Sequence, residues 1–121
     1  MISIGVDVVE IERFRRSLQR SPTMRDRLFT PVELEYVARQ ADPVPSLAAR
    51  FAAREAVMKA LGLGLGAFGF QEVWVERAPS GAPSLAVTGR AAELAAGAGV
   101  ARWHLSLSHS ELVAVAYVVA E

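Results

Sequence analysis

The stretch Arg50 to Gly66, RFAAREAVMKALGLGLG, constrains the fold of this chain more than any other. Alanine, leucine and methionine make it a strong helix former, Ser46 stands upstream as an N-cap candidate, and Gly62 supplies a stop. Phe51, Glu55 and Lys59 recur at four-residue spacing, so an aromatic anchor, a carboxylate and an ammonium share one stripe of the helix. Around the carboxylate sit only Ala52, Ala53 and Ala56. Side chains that small let another segment approach the helix closely, which would put Glu55 in a crevice instead of on a solvated ridge. A glutamate four residues before a lysine is also the ordinary stabilising pair of an exposed helix, and the helix alone leaves both readings open.

A helix that receives a close neighbour needs a core around it, and 52% apolar content over 121 residues is ample for one domain spanning residues 1–121. Thirteen basic and thirteen acidic side chains cancel, which argues against a bulk polyanion binder. Without cysteine there is neither a disulfide framework nor a cysteine-ligated metal. The start, MISIGVDVVEIER, lacks a basic segment followed by an apolar run of signal length, and no stretch reaches the span of a membrane helix. The expectation is a cytoplasmic protein that binds neither nucleic acid nor membrane.

In chain order, Ile2 to Val9 is β-branched and apolar and reads as a buried strand with Asp7 as its one charge. A buried acid needs a partner, a hydrogen bond or a cation; the alternative role for Asp7 is capping the helix that follows. Glu10 and Glu12 read as first-turn acids. From Glu10 to Arg20 the spacing is helical, with Ile11, Phe14 and Leu18 on an apolar face and Arg13, Arg16 and Arg20 on roughly the opposite one. Six arginines against the single acid Asp26 between Arg13 and Arg27 make a local basic patch, either a solvated face or a dock for an acidic partner. After the Ser21-Pro22 break, Thr30-Pro31-Val32-Glu33 forms a capping box opening a short helix to about Arg39.

Ala41 to Ser46 reads as a stiff connector, and Gly62, Gly64, Gly66 and Gly69 as a flexible one; the glycines lack the lysine and hydroxyl of a phosphate-binding Walker loop. Gln71 to Arg77 and Pro83 to Thr88 read as a hairpin, Arg90 to Ala96 as a small helix, and Trp103 to Ala120 as two strands around Ser108-His109-Ser110-Glu111. Trp74 and Trp103 read as core. Val113 to Val119 is too apolar for a strand with one wet face and demands cover on both sides, from the domain's own helices or another subunit.

Two acids in separate elements, Asp7 and Glu55, with Lys59 one turn beyond and His109 at a strand end, form a set suited to phosphoryl-type transfer. Carboxylates suit Mg²⁺, which binds one or two of them together with substrate phosphates, while lysine neutralises phosphate charge.

Gly5-Val6-Asp7-Val8-Val9-Glu10-Ile11-Glu12-Arg13 together with Phe51-Ala52-Ala53-Arg54-Glu55-Ala56-Val57-Met58-Lys59 resembles the paired motifs of the 4′-phosphopantetheinyl transferases. The chain length, the Gly81-Ala82-Pro83 turn and Ser106-Leu107-Ser108-His109 are similar to the holo-acyl-carrier-protein synthase branch. Two departures stand out: Arg54 where the family usually has lysine, and Leu63 in place of a frequent threonine.

The resemblance implies an α+β fold, a small antiparallel sheet packed with a long central helix and shorter helices, assembled as a trimer with sites between subunits. It implies transfer of the 4′-phosphopantetheine arm from coenzyme A to a serine of apo acyl carrier protein, releasing adenosine 3′,5′-bisphosphate, in support of fatty acid biosynthesis. Asp7 and Glu55 would hold Mg²⁺ or Mn²⁺ against the coenzyme A diphosphate, Glu55 would accept the serine proton, and Lys59 would stabilise diphosphate charge. Arg50, Phe51, Gly81, Ala82, Pro83, Ser108 and His109 would seat coenzyme A, and Arg13, Arg16 and Arg20 would receive the acidic carrier. The competing readings are a carrier domain of a larger synthase as substrate, or a non-enzymatic adaptor whose arginine helix binds an acidic partner.

Overall fold

The computed structural model describes residues 2–121. A first strand, β1 (Ser3–Glu10), runs directly into α1 (Ile11–Arg20), and two short helices follow, α2 (Met24–Leu28) and α3 (Pro31–Val37). The long helix α4 (Val44–Ala60) comes next, then a 3-10 turn (Phe70–Glu72) and the hairpin of β2 (Val73–Arg77) and β3 (Pro83–Val87). Helix α5 (Gly89–Gly97) and the strands β4 (Trp103–His109) and β5 (Val113–Ala120) complete the chain. The strands form a three-stranded antiparallel sheet in the order β1-β5-β4 and the separate β2-β3 hairpin. This is the α+β arrangement expected, with a break in the sheet.

Helix α4 lies across β1 and β5, and alanines make the contact possible. Ala52, Ala53, Ala56 and Ala60 on the helix are buried, as are Ala114, Ala116 and Ala120 on β5. Gly5 takes the contact to its limit. A Cβ at that position would stand 1.8 Å from the carbonyl oxygen of Ala56 and 2.8 Å from the amide nitrogen of Ala60, so strand and helix touch backbone to backbone. The Ser3 hydroxyl donates to the carbonyl of Ala60 and ties the same strand to the end of the helix. The helix closes as a Schellman motif, with Leu63 N donating to Met58 O at 2.8 Å, Gly62 N to Lys59 O at 3.1 Å, and Gly62 at φ 69°.

A second cluster joins α1 to α4. Ile11, Phe14 and Leu18 are buried as their spacing predicts, and Phe14 packs on Phe51 with ring centroids 5.3 Å apart. The opposite side of α1 exposes Arg13, Arg16 and Arg20. The capping box at Thr30 is present, Thr30 N donating to Glu33 Oε1 at 3.1 Å and Glu33 N to Thr30 Oγ1 at 3.4 Å. Glu33 then does more than cap. It is fully buried and receives both terminal nitrogens of Arg54, itself fully buried, and the amide of Val75 at 3.1 Å. Arg54 Nε donates to the carbonyl of Phe70 at 2.7 Å. This charged knot joins α3, α4, the 3-10 turn and β2, and every lone pair it desolvates finds a donor. Removing one partner of such a pair costs about 3–5 kcal/mol, because the other is left charged and dry.

Three expectations are corrected. Ser46 is no N-cap: α4 already starts at Val44, its first turn admits Pro45, and the Asp42 carboxylate takes the Val44 amide at 3.2 Å. Ser46 instead donates its hydroxyl to Gln40 Oε1 at 2.9 Å. The connector is therefore shorter than Ala41 to Ser46, and α2 is an element the sequence reading missed. Trp74 is half-buried with Nε1 bonded to Glu76 Oε1 at 3.1 Å, whereas Trp103 packs on the core as expected.

The outer face of the three-stranded sheet has no cover from the described residues. Ile4 and Val8 are 54% and 58% exposed, and Tyr117 on β5 is also exposed between them. Of the two sources of cover for the last strand, the chain's own helices thus serve one face only.

Gly5→Ala tests the backbone contact. Overpacking at that point costs about 1–3 kcal/mol or more. The expected result is a lower urea midpoint with an unchanged slope; a wild-type midpoint would refute the contact.

Candidate active site

Because β1 and α4 meet at Gly5, the next inward position of the strand, Asp7, faces the helix stripe that carries Glu55 and Lys59. Lys59 Nζ donates to Asp7 Oδ1 and to the Val6 carbonyl, each at 3.0 Å. Asp7 is therefore not a helix cap; Glu10 occupies the N-cap position of α1 and makes no side-chain cap bond. Glu55 is half-buried, and burial first, then the charge of Asp7, raises its pKa above the ordinary glutamate range, with Lys59 pulling the other way. Asp7 and Glu55 line one pocket of about 390 Å³ with Arg13, Phe14, Ser17, Met24 and Phe51. Its wall is the aromatic packing between α1 and α4, and its rim carries the first arginine of the basic face.

Not all of the basic patch is free. Arg15 forks onto Asp42 at 2.9 and 2.7 Å and contacts Glu12 at 3.2 Å. The Arg15 hydrogen bonds hold Asp42 below the usual carboxylate range. Glu12 is a first-turn acid as expected, while Arg13, Arg16 and Arg20 form no ion pair with the described residues.

The remaining candidates lie in two other places. Arg50 points away from Glu55 into a second pocket of about 520 Å³, lined also by Tyr36, Arg39, Val75 and Arg77. Its guanidinium lies 4.5 Å from the Tyr36 ring centroid, and that of Arg77 lies 5.4 Å from the same ring. Arg50 is buried, its Nε has no hydrogen-bond partner, and burial lowers its pKa, Glu33 opposing and Arg77 adding to the effect. Arg77 also donates to the Gly81 carbonyl at 2.6 Å, which ties the turn bearing Gly81, Ala82 and Pro83 to a residue of this pocket, although none of the three lines it. Gly81 sits at φ 88°, which the turn requires. His109 lies elsewhere, in a groove with Glu12, Asp42, Pro45 and Glu111, and neither it nor the exposed Ser108 lines the Asp7–Glu55 pocket.

The sequence reading missed Tyr36, Arg77, Met24 and Ser17. For Arg77 a signal existed, a lone cation at the end of a predicted strand facing the hairpin turn; for the others none did.

The donor set at Asp7 and Glu55 fits a hard divalent cation. Two carboxylates line one pocket, where burial first and then the charge of Asp7 raise the pKa of Glu55, and among the described residues no hydrogen bond relieves Glu55. Among the described residues no group of three or more His, Asp or Glu side chains could hold a metal. A two-carboxylate site is what Mg²⁺ uses when substrate phosphates and water complete its shell.

Residues 3–118 match the 4′-phosphopantetheinyl transferase superfamily. The chain is 53% identical to a holo-[acyl-carrier-protein] synthase of Streptomyces avermitilis over 122 aligned residues, covering all of this chain and 98% of the relative. Its structure superposes on the crystal structure of the Neisseria meningitidis holo-[acyl-carrier-protein] synthase with a TM-score of 0.90 at 35% identity, covering 100% of this chain and 99% of the other. The Helicobacter pylori synthase in complex with coenzyme A gives a TM-score of 0.82 at 27% identity, over 98% and 99% of the two chains. The chain belongs to the 4′-phosphopantetheinyl transferase superfamily, and within it to the holo-acyl-carrier-protein synthase branch that these full-length relatives define.

Between the ordinary glutamate pKa and the raised value of Glu55, the folded chain binds more protons than the unfolded one, so Glu55 lowers stability as pH rises through that window. Carboxyl-carbon NMR of the metal-free protein should find Glu55 titrating above free glutamate. Asp7→Asn should bring it down, and an unmoved titration would separate the two acids.

Proposed function

We propose that this chain transfers 4′-phosphopantetheine from coenzyme A to a serine hydroxyl of apo acyl carrier protein, with Asp7 and Glu55 holding Mg²⁺ or Mn²⁺. The observation that carries the reading is the convergence of Asp7 and Glu55 in one pocket that Arg13 also lines, with Lys59 bonded to Asp7 beside it. A bound divalent ion would supply charge neutralisation of the diphosphate. The serine oxygen attacks the phosphorus that bears the pantetheine arm, and its proton passes to Glu55, whose raised pKa makes it a stronger base than an ordinary glutamate. The phosphoanhydride bond breaks and adenosine 3′,5′-bisphosphate leaves with the bonding pair. Lys59, already at the site, meets the charge that collects on the diphosphate.

Coenzyme A reaches outward from there. Phe51 packs the pocket wall, and Arg50, with the Gly81 to Pro83 turn, seats the phosphorylated nucleotide end beside Tyr36 and Arg77. The unpartnered Arg50 Nε supports this, since a buried donor without a partner gains most from an anion. Ser108 and His109 complete the site of a neighbouring copy in a trimer, a reading supported by their distance from the home pocket and by the uncovered apolar sheet face beside them. The unpaired arginines 13, 16 and 20 receive the acidic carrier. We place the reaction in the cytoplasm, in support of fatty acid synthesis, which the cysteine-free sequence suits; no helix of the described residues is long and apolar enough to cross a membrane.

Incubation with coenzyme A, Mg²⁺ and apo carrier protein should add one phosphopantetheine arm by intact mass spectrometry. Asp7→Ala and Glu55→Ala should remove the product while leaving the circular dichroism spectrum unchanged, and full turnover by either would refute the metal assignment.

Arg13→Glu with Arg16→Glu should raise the carrier-protein KM at least about tenfold, a loss of some 1.4 kcal/mol, without changing coenzyme A affinity. An unaltered KM returns the face to solvent.

A further inference from the structure

We propose that Lys59 is an internal counter-ion that occupies Asp7 in the free protein and is exchanged for the divalent cation when the site is loaded. The inference rests on the metal reading above and goes beyond it, because it assigns Lys59 a role before substrate arrives. Lys59 reaches from the helix back to the strand and spends two of its three ammonium protons there, on Asp7 Oδ1 and the Val6 carbonyl, each at 3.0 Å. The exposures of the two side chains set the direction of exchange. Asp7 is 16% exposed and Lys59 is 55% exposed, so the acid lies below and the ammonium at the mouth on a flexible four-carbon stem.

The pairing has a physical cause in the fold. The backbone contact at Gly5 forces two carboxylates into one crevice, and their repulsion calls for positive charge. Lys59 supplies one unit from within. A divalent ion supplies two, but it must take a carboxylate whose Oδ1 the ammonium already holds, and it is repelled by that ammonium. Cation and Lys59 therefore compete for Asp7. Once displaced, the ammonium is left next to the anionic substrate group it can pair with, so cation binding and diphosphate binding favour each other by reciprocal linkage.

The test is Mn²⁺ titration by electron paramagnetic resonance and calorimetry, without coenzyme A, on wild type, Lys59→Met, Lys59→Gln and Lys59→Arg, each checked by thermal unfolding. Removing the competing charge should tighten Mn²⁺ binding about tenfold in the Met and Gln variants, as expected for one partly exposed ion pair, while the Arg variant stays near wild type. Equal or weaker binding by both neutral variants, with wild-type binding measurable, would overturn the exchange and leave the metal site standing. If neither wild type nor the neutral variants bind Mn²⁺ even with coenzyme A present, the metal reading fails, and the exchange with it.

Discussion

The contact between the backbone of β1 at Gly5 and that of α4 at Ala56 is the constraint on which the rest of the structure depends. A strand and a helix ordinarily keep a layer of side chains between them. Here the layer is removed by a glycine on one side and by alanines on the other, and the polar atoms of Asp7, Glu55 and Lys59 fall into the space that results. The chemistry of the site is therefore a product of side-chain smallness two and three positions away. Glu55 would not be perturbed on an isolated helix; partial desolvation and the nearby charge of Asp7 raise its pKa, and both follow from that contact.

The buried pair of Glu33 and Arg54 performs a complementary service. Arg54 directly precedes Glu55 on α4 but leaves the helix about 100° away, where it is held by Glu33 and the Phe70 carbonyl. A guanidinium fixed by several acceptors sets the rotation of the helix about its axis, and with it the direction of the Glu55 side chain. The lysine usual in the family offers one nitrogen, whereas arginine offers a planar fork plus Nε; here the Nε contact joins the 3-10 turn to the pair. The departure at position 54 thus reads as a stronger tie at the back of the site, not as a change in its chemistry.

Local patterns were legible where they repeat at short range. The spacing of Ile11, Phe14 and Leu18, the Thr30 capping box and the last two strands all reappear in the fold. Legibility failed where a distant residue decides. Ser46 looks like a cap until Asp42 takes the Val44 amide and Pro45 is accommodated in the first turn. Helix α2, MRDRL, is too short to show an apolar period and is specified by the burial of Leu28. Arg54 could not be recognised as buried because its partner lies 21 positions away. Asp7, Glu55 and Lys59 were readable as a group from residue type and spacing, and the fold brings them together; that Arg13 and Phe51 line the pocket of the two acids, and that Tyr36 and Arg77 line the second pocket, is decided by tertiary packing.

Strand β5 inverts the usual amphipathic arrangement. It turns Ala114, Ala116, Val118 and Ala120 toward the helix and sends Val113, Val115, Tyr117 and Val119 the other way. Small side chains at three of the four inner positions let α4 lie near, with the one valine, Val118, opposite Gly5, and the bulkier side chains point outward. A single copy leaves Ile4, Val8 and Tyr117 of that outer face in water, an oily area that the fold of one chain does not shield.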